Sequence, residues 1–156
     1  MRATTLRPSD EECAHQVLEV VPMVFREIRT ELRKYGAQEM SVPHFRTLAF
    51  VYRRGRASLS EIADHLGLTL PTMSALVDGL VARGFMTRRE DSEDRRRITL
   101  TLTDLGRTRF ASARAATLAN LDQRLRQLSS SDRATITAAM RMLRGLFNGS
   151  NTNVEN

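Results

Sequence analysis

One stretch of the chain, residues 68–103, restricts the possible folds more than any other. The apolar residues between 73 and 81 have the spacing of one helical face, and Gly84 is placed to end that helix. Residues 98–102 alternate apolar and hydroxyl side chains, as a half-buried strand does. A charged segment with three consecutive arginines at residues 95–97 precedes this strand. We therefore expect a short helix followed by a β-hairpin with a charged tip.

A second short helix is predicted immediately before this one. Ser58 and Glu61 have the spacing of a capping box at its start, Gly67 ends it, and Thr69 can cap the next helix. Two short helices joined by a few residues that include glycine are typical of a helix-turn-helix. One of these helices can enter a major groove while a basic hairpin reaches the neighbouring minor groove. This combination favours double-stranded DNA as the partner.

Long helices are predicted at both ends of the chain. In residues 10–35 the apolar side chains recur every three or four positions, a pattern typical of a helix that packs on other helices. So broad an apolar face needs both its own domain and a second chain, so we expect a homodimer. The fold class is then mainly α with a small β-hairpin wing (α+β), a winged helix-turn-helix flanked by N- and C-terminal dimerisation helices. The residues predicted at the dimer interface are Leu18, Val21, Phe25, Leu121, Leu125, Met140, Leu143 and Phe147.

The charge of the chain favours a nucleic-acid partner. The 156 residues carry a formal net charge of +6, and a basic balance is typical of proteins that bind polyanions. No arrangement of nucleophile and base, metal ligands or phosphate loop is found, so we predict no enzyme activity, no metal and no cofactor. The single cysteine, Cys13, excludes an intramolecular disulfide, and no apolar run approaches the roughly 20 residues that span a bilayer. We expect a cytoplasmic protein without a membrane partner.

Two segments resemble the MarR family of bacterial transcriptional regulators: LSEIADHLGLTLPTMSALVDGLVARGFMTR at residues 59–88 and EDRRRITLTLTDLG at residues 93–106. The second is similar to that family's wing signature, an Asp-x-Arg at Asp94 and Arg96 followed by a strand and Leu-Thr-x-x-Gly. The resemblance implies an obligate homodimer, a pseudo-palindromic operator and a small-molecule effector that changes DNA affinity. The expected division of the chain is a helical dimerisation region at 1–36 and 104–148, a DNA-binding lobe at 41–103 and a disordered tail at 149–156.

The predicted DNA contacts lie on the recognition helix, the second of the helix-turn-helix, and on the wing. Because the apolar stripe of that helix faces the core, its other residues are available to base edges and phosphates. Many members of the family carry a long polar residue where Ala75 stands. The helix is therefore expected to supply fit and register, and the wing a larger share of the affinity. The helix contributes Thr69, Pro71, Thr72, Ser74, Ala75, Asp78 and Arg83, and the wing contributes Arg88, Arg89, Asp94, Arg95, Arg96 and Arg97.

An effector pocket is expected between the first helix and the DNA-binding lobe, as the resemblance implies. Its predicted lining is Val17, Val21, His44 and Arg46, and a surface or helix-cap role for His44 is an equal alternative. The predicted function is that of a ligand-responsive homodimeric repressor. The alternative from another class is an adaptor whose winged helix binds protein, which Ala75 favours because it weakens base readout.

Overall fold

The computed structural model describes residues 9–34, 40–90 and 98–148, and within these ranges the chain forms six helices and one two-stranded sheet. This confirms the predicted fold class, mainly helical with a small hairpin. The predicted tail at 149–156 lies outside the described residues. The elements are α1 (Asp10–Arg33), α2 (Val42–Arg54), α3 (Leu59–Leu66), α4 (Leu70–Ala82), β1 (Met86–Glu90), β2 (Ile98–Leu102), α5 (Asp104–Leu125) and α6 (Ser130–Asn148).

Hydroxyl side chains fix the starts of the helices. At α2 the Ser41 hydroxyl accepts from the His44 N–H, and at α3 the Ser58 hydroxyl accepts from the Glu61 N–H. Both are capping boxes, because the side chains of His44 and Glu61 accept in return from the backbone N–H groups of Ser41 and Ser58. The box at Ser58 confirms the prediction. His44 takes the helix-cap role that was the alternative to lining a pocket.

The apolar core lies where α2, α3, α4, the hairpin and the first half of α5 meet. Met73, Val77 and Leu80 of α4 are completely buried, as their helical spacing predicts. Full burial of such side chains stabilises the fold by about 1.5–3 kcal/mol each. The core therefore fixes which face of α4 points inward, and that in turn decides which residues remain on its surface. The other elements contribute Leu48, Val51, Ile62, Ala63, Leu66, Met86, Leu100, Leu102, Phe110 and Ala113.

The hairpin is attached to the helices at its base. β1 pairs antiparallel with β2, from Met86 opposite Leu102 to Glu90 opposite Ile98. Ala57, in the loop before α3, adds a bridge to β2: its N–H donates to the Leu100 carbonyl at 3.1 Å, and its carbonyl accepts from the Leu100 N–H at 2.8 Å. The hairpin therefore cannot swing freely away from the helix-turn-helix.

A close approach between Phe85 and Gly106 joins the end of α4 to the start of α5. The Thr103 hydroxyl donates to the Gly84 carbonyl at 2.5 Å and accepts from the Gly106 N–H at 2.9 Å. The Thr103 N–H donates to the Phe85 carbonyl at 3.1 Å. A Cβ at position 106 would overlap that same carbonyl oxygen. Only glycine fits there, which gives the Leu-Thr-x-x-Gly signature a steric reason.

The helices at the two ends of the chain leave apolar faces uncovered. Leu18 of α1 is 73% exposed and Phe147 of α6 is 66% exposed. Within the described ranges α6 has no buried residue and packs extensively on no other element. Of the eight residues predicted at the dimer interface, Leu121 and Leu143 are half-buried and the other six are exposed. So large an apolar surface is unusual for a chain that remains monomeric.

Polar contacts hold α1 against α5. The carboxylate of Glu31 is buried and accepts from Lys34 Nζ at 2.7 Å and from Asn120 Nδ2 at 3.2 Å. One turn earlier, Glu27 pairs with Arg124 at 2.6 Å. These contacts fix the C-terminal half of α1 on the chain's own fold, while its N-terminal half remains exposed.

In the described part of the chain no helix is by itself long and apolar enough to span a membrane. The pair α3 and α4 together reaches that length and composition, but the two helices are bent by 111° at the turn between them.

Candidate nucleic-acid interface

A three-residue turn joins α3 and α4, as the sequence predicts. Gly67 ends α3 in the left-handed conformation, with φ of 69°, which glycine adopts without the steric cost of a Cβ. The Leu68 N–H donates back to the Ala63 carbonyl at 3.0 Å. Thr69 then caps α4 by accepting from the Thr72 N–H. The N-terminus of α4 is thereby presented at the end of a rigid turn.

The outward face of α4 carries short side chains. Pro71, Thr72 and Ala75 are exposed and Ser74 is half-buried, because the core holds the opposite face of the helix. The hydroxyls of Thr69 and Thr72 are hydrogen-bonded to each other at 2.9 Å. Both are therefore held at the helix N-terminus, where the backbone N–H groups favour an anion such as a phosphate.

Asp78 and Arg88, both predicted to contact DNA, contact each other. Arg88 Nη2 of β1 lies 2.6 Å from Asp78 Oδ1 of α4, and both side chains are partly exposed. The pair joins the first strand of the wing to the recognition helix. It also balances the charge of Arg88, while the neighbouring Arg89 is exposed. The sequence offered no signal for this pairing, because the two residues are ten positions apart on different elements.

Arg83 lies away from the outward face on which it was predicted. It caps the C-terminus of α4 and is half-buried, and its Nη2 is 3.3 Å from the point where a Cβ on Gly79 would stand. Along the helix axis it is roughly 16 Å from Thr72, at a rise of about 1.5 Å per residue. His44 Nε2 of α2 is 3.9 Å from the same point beside Gly79. Arg83 is therefore placed against α2, far from the N-terminal end of α4.

The tip of the wing lies outside the described residues. β1 and β2 end in the paired residues Glu90 and Ile98, which are the last described positions on each side. The predicted wing contacts at the tip, Asp94, Arg95, Arg96 and Arg97, remain predictions.

A cavity of about 410 Å³ lies between α1 and the start of α2. It is not lined by the four residues that the sequence predicts for the effector pocket. Val21 and Val17 lie one and two turns before Phe25, where the cavity lining on α1 begins, and Arg46 is on the exposed side of α2. The capping box directs the His44 ring to Ser41 and α4. The cavity is lined by Phe25, Arg29, Arg33, Met40, Ser41, Val42 and Pro43.

A basic cluster on α2 surrounds His65 at the end of α3. The ring of His65 stacks on Phe50, with 4.5 Å between centroids, and Arg54 lies 5.2 Å from the centroid of that phenyl ring. Burial lowers the pKa of His65, and the nearby Arg53, Arg46 and Arg54 lower it further. Arg54 is partly neutralised by Glu61 at 3.3 Å. Arg46, predicted in the effector pocket, belongs instead to this surface.

Within the described ranges no group of three or more His, Cys, Asp and Glu side chains could hold a metal ion. Cys13 is an exposed thiol on α1.

Comparison with known proteins identifies the central part of this fold. Residues 40–98 match the model of the MarR family. The chain is 32% identical over 78 residues to the HTH-type transcriptional repressor YetL of Bacillus subtilis, a match that covers 49% of this chain and 47% of YetL. Across three such relatives of B. subtilis, the matched region spans 41% to 59% of the relative's length.

Solved structures extend the similarity to almost the whole chain. RV1404 of Mycobacterium tuberculosis superposes with a TM-score of 0.79 and 18% identity, over 96% of this chain and all of that one. The transcriptional repressor CouR, bound to a 23-mer DNA duplex, superposes with a TM-score of 0.73 and 22% identity, over 90% of this chain and 99% of CouR. At these identities the structures show a shared fold, with the terminal helices included.

The helix-turn-helix, the hairpin and the flanking helices thus agree with the matched sequence and with the superposed structures. The three B. subtilis relatives are named as HTH-type transcriptional regulators or repressors. Residues 40–98 thus match the MarR family in sequence, and the chain as a whole has the winged helix-turn-helix fold of the superposed structures.

Proposed function

We propose that the protein is a homodimeric transcriptional repressor that binds a pseudo-palindromic operator. The observation that carries this proposal is the recognition helix, whose exposed N-terminal face is held by a rigid turn and whose side is joined to the wing by the Asp78–Arg88 pair. A helix presented in this way fits a major groove. The relative YetL is named a repressor, and CouR is a repressor seen on DNA, which supports the same role here. Such a protein would work in the cytoplasm, where bacterial DNA is found.

The dimer is proposed from the uncovered apolar faces of α1 and α6. A second copy that covers these faces would bury side chains that are otherwise in water. The proposed division is a dimerisation region of residues 1–36 and 104–148 and a DNA-binding lobe of residues 41–103. Two recognition helices about 34 Å apart would then meet successive major grooves on one side of the duplex.

The recognition helix and the wing are proposed to contribute differently to DNA binding. Pro71 and Ala75 can contact a thymine methyl, and Thr72 and Ser74 can hydrogen-bond to base edges or phosphates. None of these side chains makes the bidentate contact of an arginine with guanine. Arg89 and the arginines at 95–97 would supply phosphate and minor-groove contacts, with affinity that falls steeply as salt rises.

Replacing Asp78 by Asn tests whether Arg88 lies at the DNA interface. The substitution keeps the shape of the side chain but removes the charge that balances Arg88. Each protomer then has one more uncompensated cation near the phosphates, so we expect tighter binding to all DNA. The slope of log affinity against log salt should become steeper by up to about 0.9 per protomer. Fluorescence anisotropy with an operator duplex and with a scrambled duplex, at several salt concentrations, measures both effects.

Asp122→Asn is the matched control for this substitution. Asp122 forms an exposed pair with Arg126 at 2.7 Å at the C-terminal end of α5, outside the helix-turn-helix, and its replacement changes the net charge by the same amount. An exposed pair of this kind contributes about 0–1 kcal/mol, so both variants should fold. Equal salt slopes for the two variants would show that Arg88 does not contact the duplex.

The cavity between α1 and α2 is proposed as the effector site, for a small aromatic carboxylate. Its walls combine the apolar side chains of Phe25, Met40 and Val42 with two cations, Arg29 and Arg33. Guanidinium groups bind carboxylates by paired, charge-assisted hydrogen bonds. Because Phe25 also belongs to the proposed dimer interface, an occupant would lie between the dimer helices and the DNA-binding lobe and could change the angle between them.

Benzoate, the simplest ligand of this class, is therefore expected to weaken operator binding. We expect about a fivefold or larger rise in the operator Kd at saturating benzoate, and by linkage an equal loss of benzoate affinity in the operator complex. Calorimetric titration of benzoate into the free protein and into the complex measures the reciprocal effect. Arg29→Gln should abolish the response, whereas Arg126→Gln, which removes the same charge from α5, should keep it. Binding of benzoate with equal affinity in both states would refute the linkage.

An adaptor function is the alternative, favoured by the lack of a long polar side chain at Ala75. A mobility-shift assay with the DNA upstream of the protein's own gene separates the two functions. A salt-sensitive shift supports the regulator, and no shift with any duplex supports the adaptor.

A further inference from the structure

The imidazole of His44 lies between two elements with different proposed roles. On one side, Nδ1 lies 2.9 Å from the Ser41 hydroxyl and 3.4 Å from the Ser41 backbone nitrogen. On the other side, Nε2 lies 3.9 Å from the position that a Cβ on Gly79 of α4 would occupy. Ser41 lines the cavity between α1 and α2, and Gly79 belongs to the recognition helix. A single ring therefore separates the cavity wall from the helix.

Gly79 makes this close approach possible. Glycine inside a helix costs about 0.5–1 kcal/mol relative to alanine, so its presence in the middle of α4 calls for a reason in the packing. A methyl group at this position would stand 3.3 Å from Arg83 Nη2, which is tighter than an ordinary contact, and 3.9 Å from the His44 ring. The missing side chain leaves the space in which Arg83 and His44 meet on α4.

The hydrogen bonds of the ring also fix its protonation. Nδ1 accepts from the Ser41 N–H, so the proton of the neutral ring is on Nε2, the atom that faces α4. Burial lowers the pKa of His44, and Arg83 lowers it further, so both favour the neutral ring. A cavity ligand that takes the Ser41 hydroxyl as its partner would compete with Nδ1 for that hydroxyl. The ring would then lose part of the bonding that holds it against α4.

We propose that His44 transmits the occupancy of the cavity to the recognition helix, through Ser41 on one side and the Gly79–Arg83 segment on the other. This inference rests on the proposed function, because it assigns the route by which the effector site acts on the DNA-binding helix. His44 is accordingly a positioning residue. It need not touch either the effector or the operator.

A double-mutant cycle tests the route without DNA or ligand. Hydrogen–deuterium exchange is measured on the full chain for Ser41→Ala, His44→Ala and the double variant. We expect each single variant to raise the exchange of the amides of residues 79–83 by about threefold or more, as local opening becomes easier. Because both substitutions act through one ring, their effects should not add. The increase in exchange in the double variant should be smaller than the sum of the increases in the two single variants. Ser58→Ala, the same cap at α3, should raise exchange in α3 and leave residues 79–83 unchanged.

A substitution at Gly79 tests the packing of His44 on α4 from the side of α4. Gly79→Leu, whose side chain is too large for the space beside this position, should displace His44 and raise the exchange of its capped amide, whereas Gly79→Ala, whose methyl group would be in ordinary contact with the ring at 3.9 Å, should not. If Ser41→Ala leaves residues 79–83 unchanged, or if its effect adds fully to that of His44→Ala, the route through His44 is wrong. That result does not depend on whether the protein binds an operator or benzoate.

A DNA-binding experiment compares the operator Kd with and without benzoate in the wild type and in each variant. The ratio of the two Kd values should be about five or more for the wild type and fall to about one for His44→Ala. Because the ratio is taken within each variant, a general change in DNA affinity does not enter it. An unchanged ratio in His44→Ala contradicts the inference. A ratio of one in the wild type contradicts the proposed effector, and the exchange cycle alone then decides the route.

Discussion

Met140→Glu is expected to convert the protein to monomers and to lower its operator affinity by about a hundredfold or more, because two linked half-site contacts become independent. Met140 lies on the uncovered side of α6, in line with Leu143 and Phe147, and is itself exposed in the single chain. A glutamate there costs little in the monomer, but in the dimer it would be a buried, unpaired charge. Light scattering gives the mass, and fluorescence anisotropy with the operator gives the affinity.

Ala138→Glu is the control for this prediction. It adds the same charge to α6 at an exposed position two residues from Ile136 and so on the opposite side of the helix from the apolar line. This variant should remain a dimer with wild-type operator affinity. A dimeric Met140→Glu protein would mean that the uncovered face of α6 is not where two copies meet.

Gly106→Ala is expected to destabilise the fold by about 3 kcal/mol, the upper part of the range for inserting a group into a packed site. The new methyl group would overlap the carbonyl oxygen of Phe85, a backbone atom that also accepts from the Thr103 N–H. Backbone cannot give way as a flexible side chain can. The hairpin, the end of α4 and the start of α5 must therefore shift together. Urea unfolding at a fixed protein concentration measures the loss in the free energy of unfolding.

Gly145→Ala is the matched control, because the same change at an open helical position should act in the opposite direction. Nothing lies within 4 Å of a Cβ at residue 145 of α6. Alanine there should raise the free energy of unfolding by about 0.5–1 kcal/mol. If Gly106→Ala were as stable as the wild type, the contact with Phe85 would not be what requires glycine at this position.

Local features of the sequence were sufficient to predict the helix-turn-helix. The capping residues Ser58, Glu61 and Thr69 act within one helical turn, and Gly67 acts at a single residue. Such signals depend only on neighbours in the chain, so the sequence contains them directly. The spacing of Met73, Val77 and Leu80 likewise determined the buried face of α4, and with it the residues that remain outside.

Contacts between distant elements explain what the sequence did not predict. Arg83 was expected on the DNA side of α4, but the missing side chain of Gly79 lets it lie back towards His44. The pair of Asp78 and Arg88 depends on how β1 crosses α4. Periodicity indicates which face of an element is apolar, but it contains no information about the side chain that a neighbouring element brings to the same place.

The cavity between α1 and α2 shows the same distinction. It lies in the region where the resemblance places an effector pocket, but none of the four residues named for that pocket lines it, and the effector itself stays a prediction. The alternative expectation for His44, a helix-cap role, is confirmed, because its side chain closes a capping box with Ser41. Nothing local could have indicated that Arg29 and Arg33 turn towards the start of α2.

The central claim is that two copies of the chain read two half-sites on one side of a duplex. Footprinting of the protein on the DNA upstream of its own gene measures this most directly. We predict two protected half-sites related by a pseudo-twofold axis, with centres about 10 base pairs apart, and protection that is lost as salt rises. A single unpaired footprint would contradict the dimeric arrangement. The absence of any salt-sensitive protection would contradict operator binding and favour the adaptor.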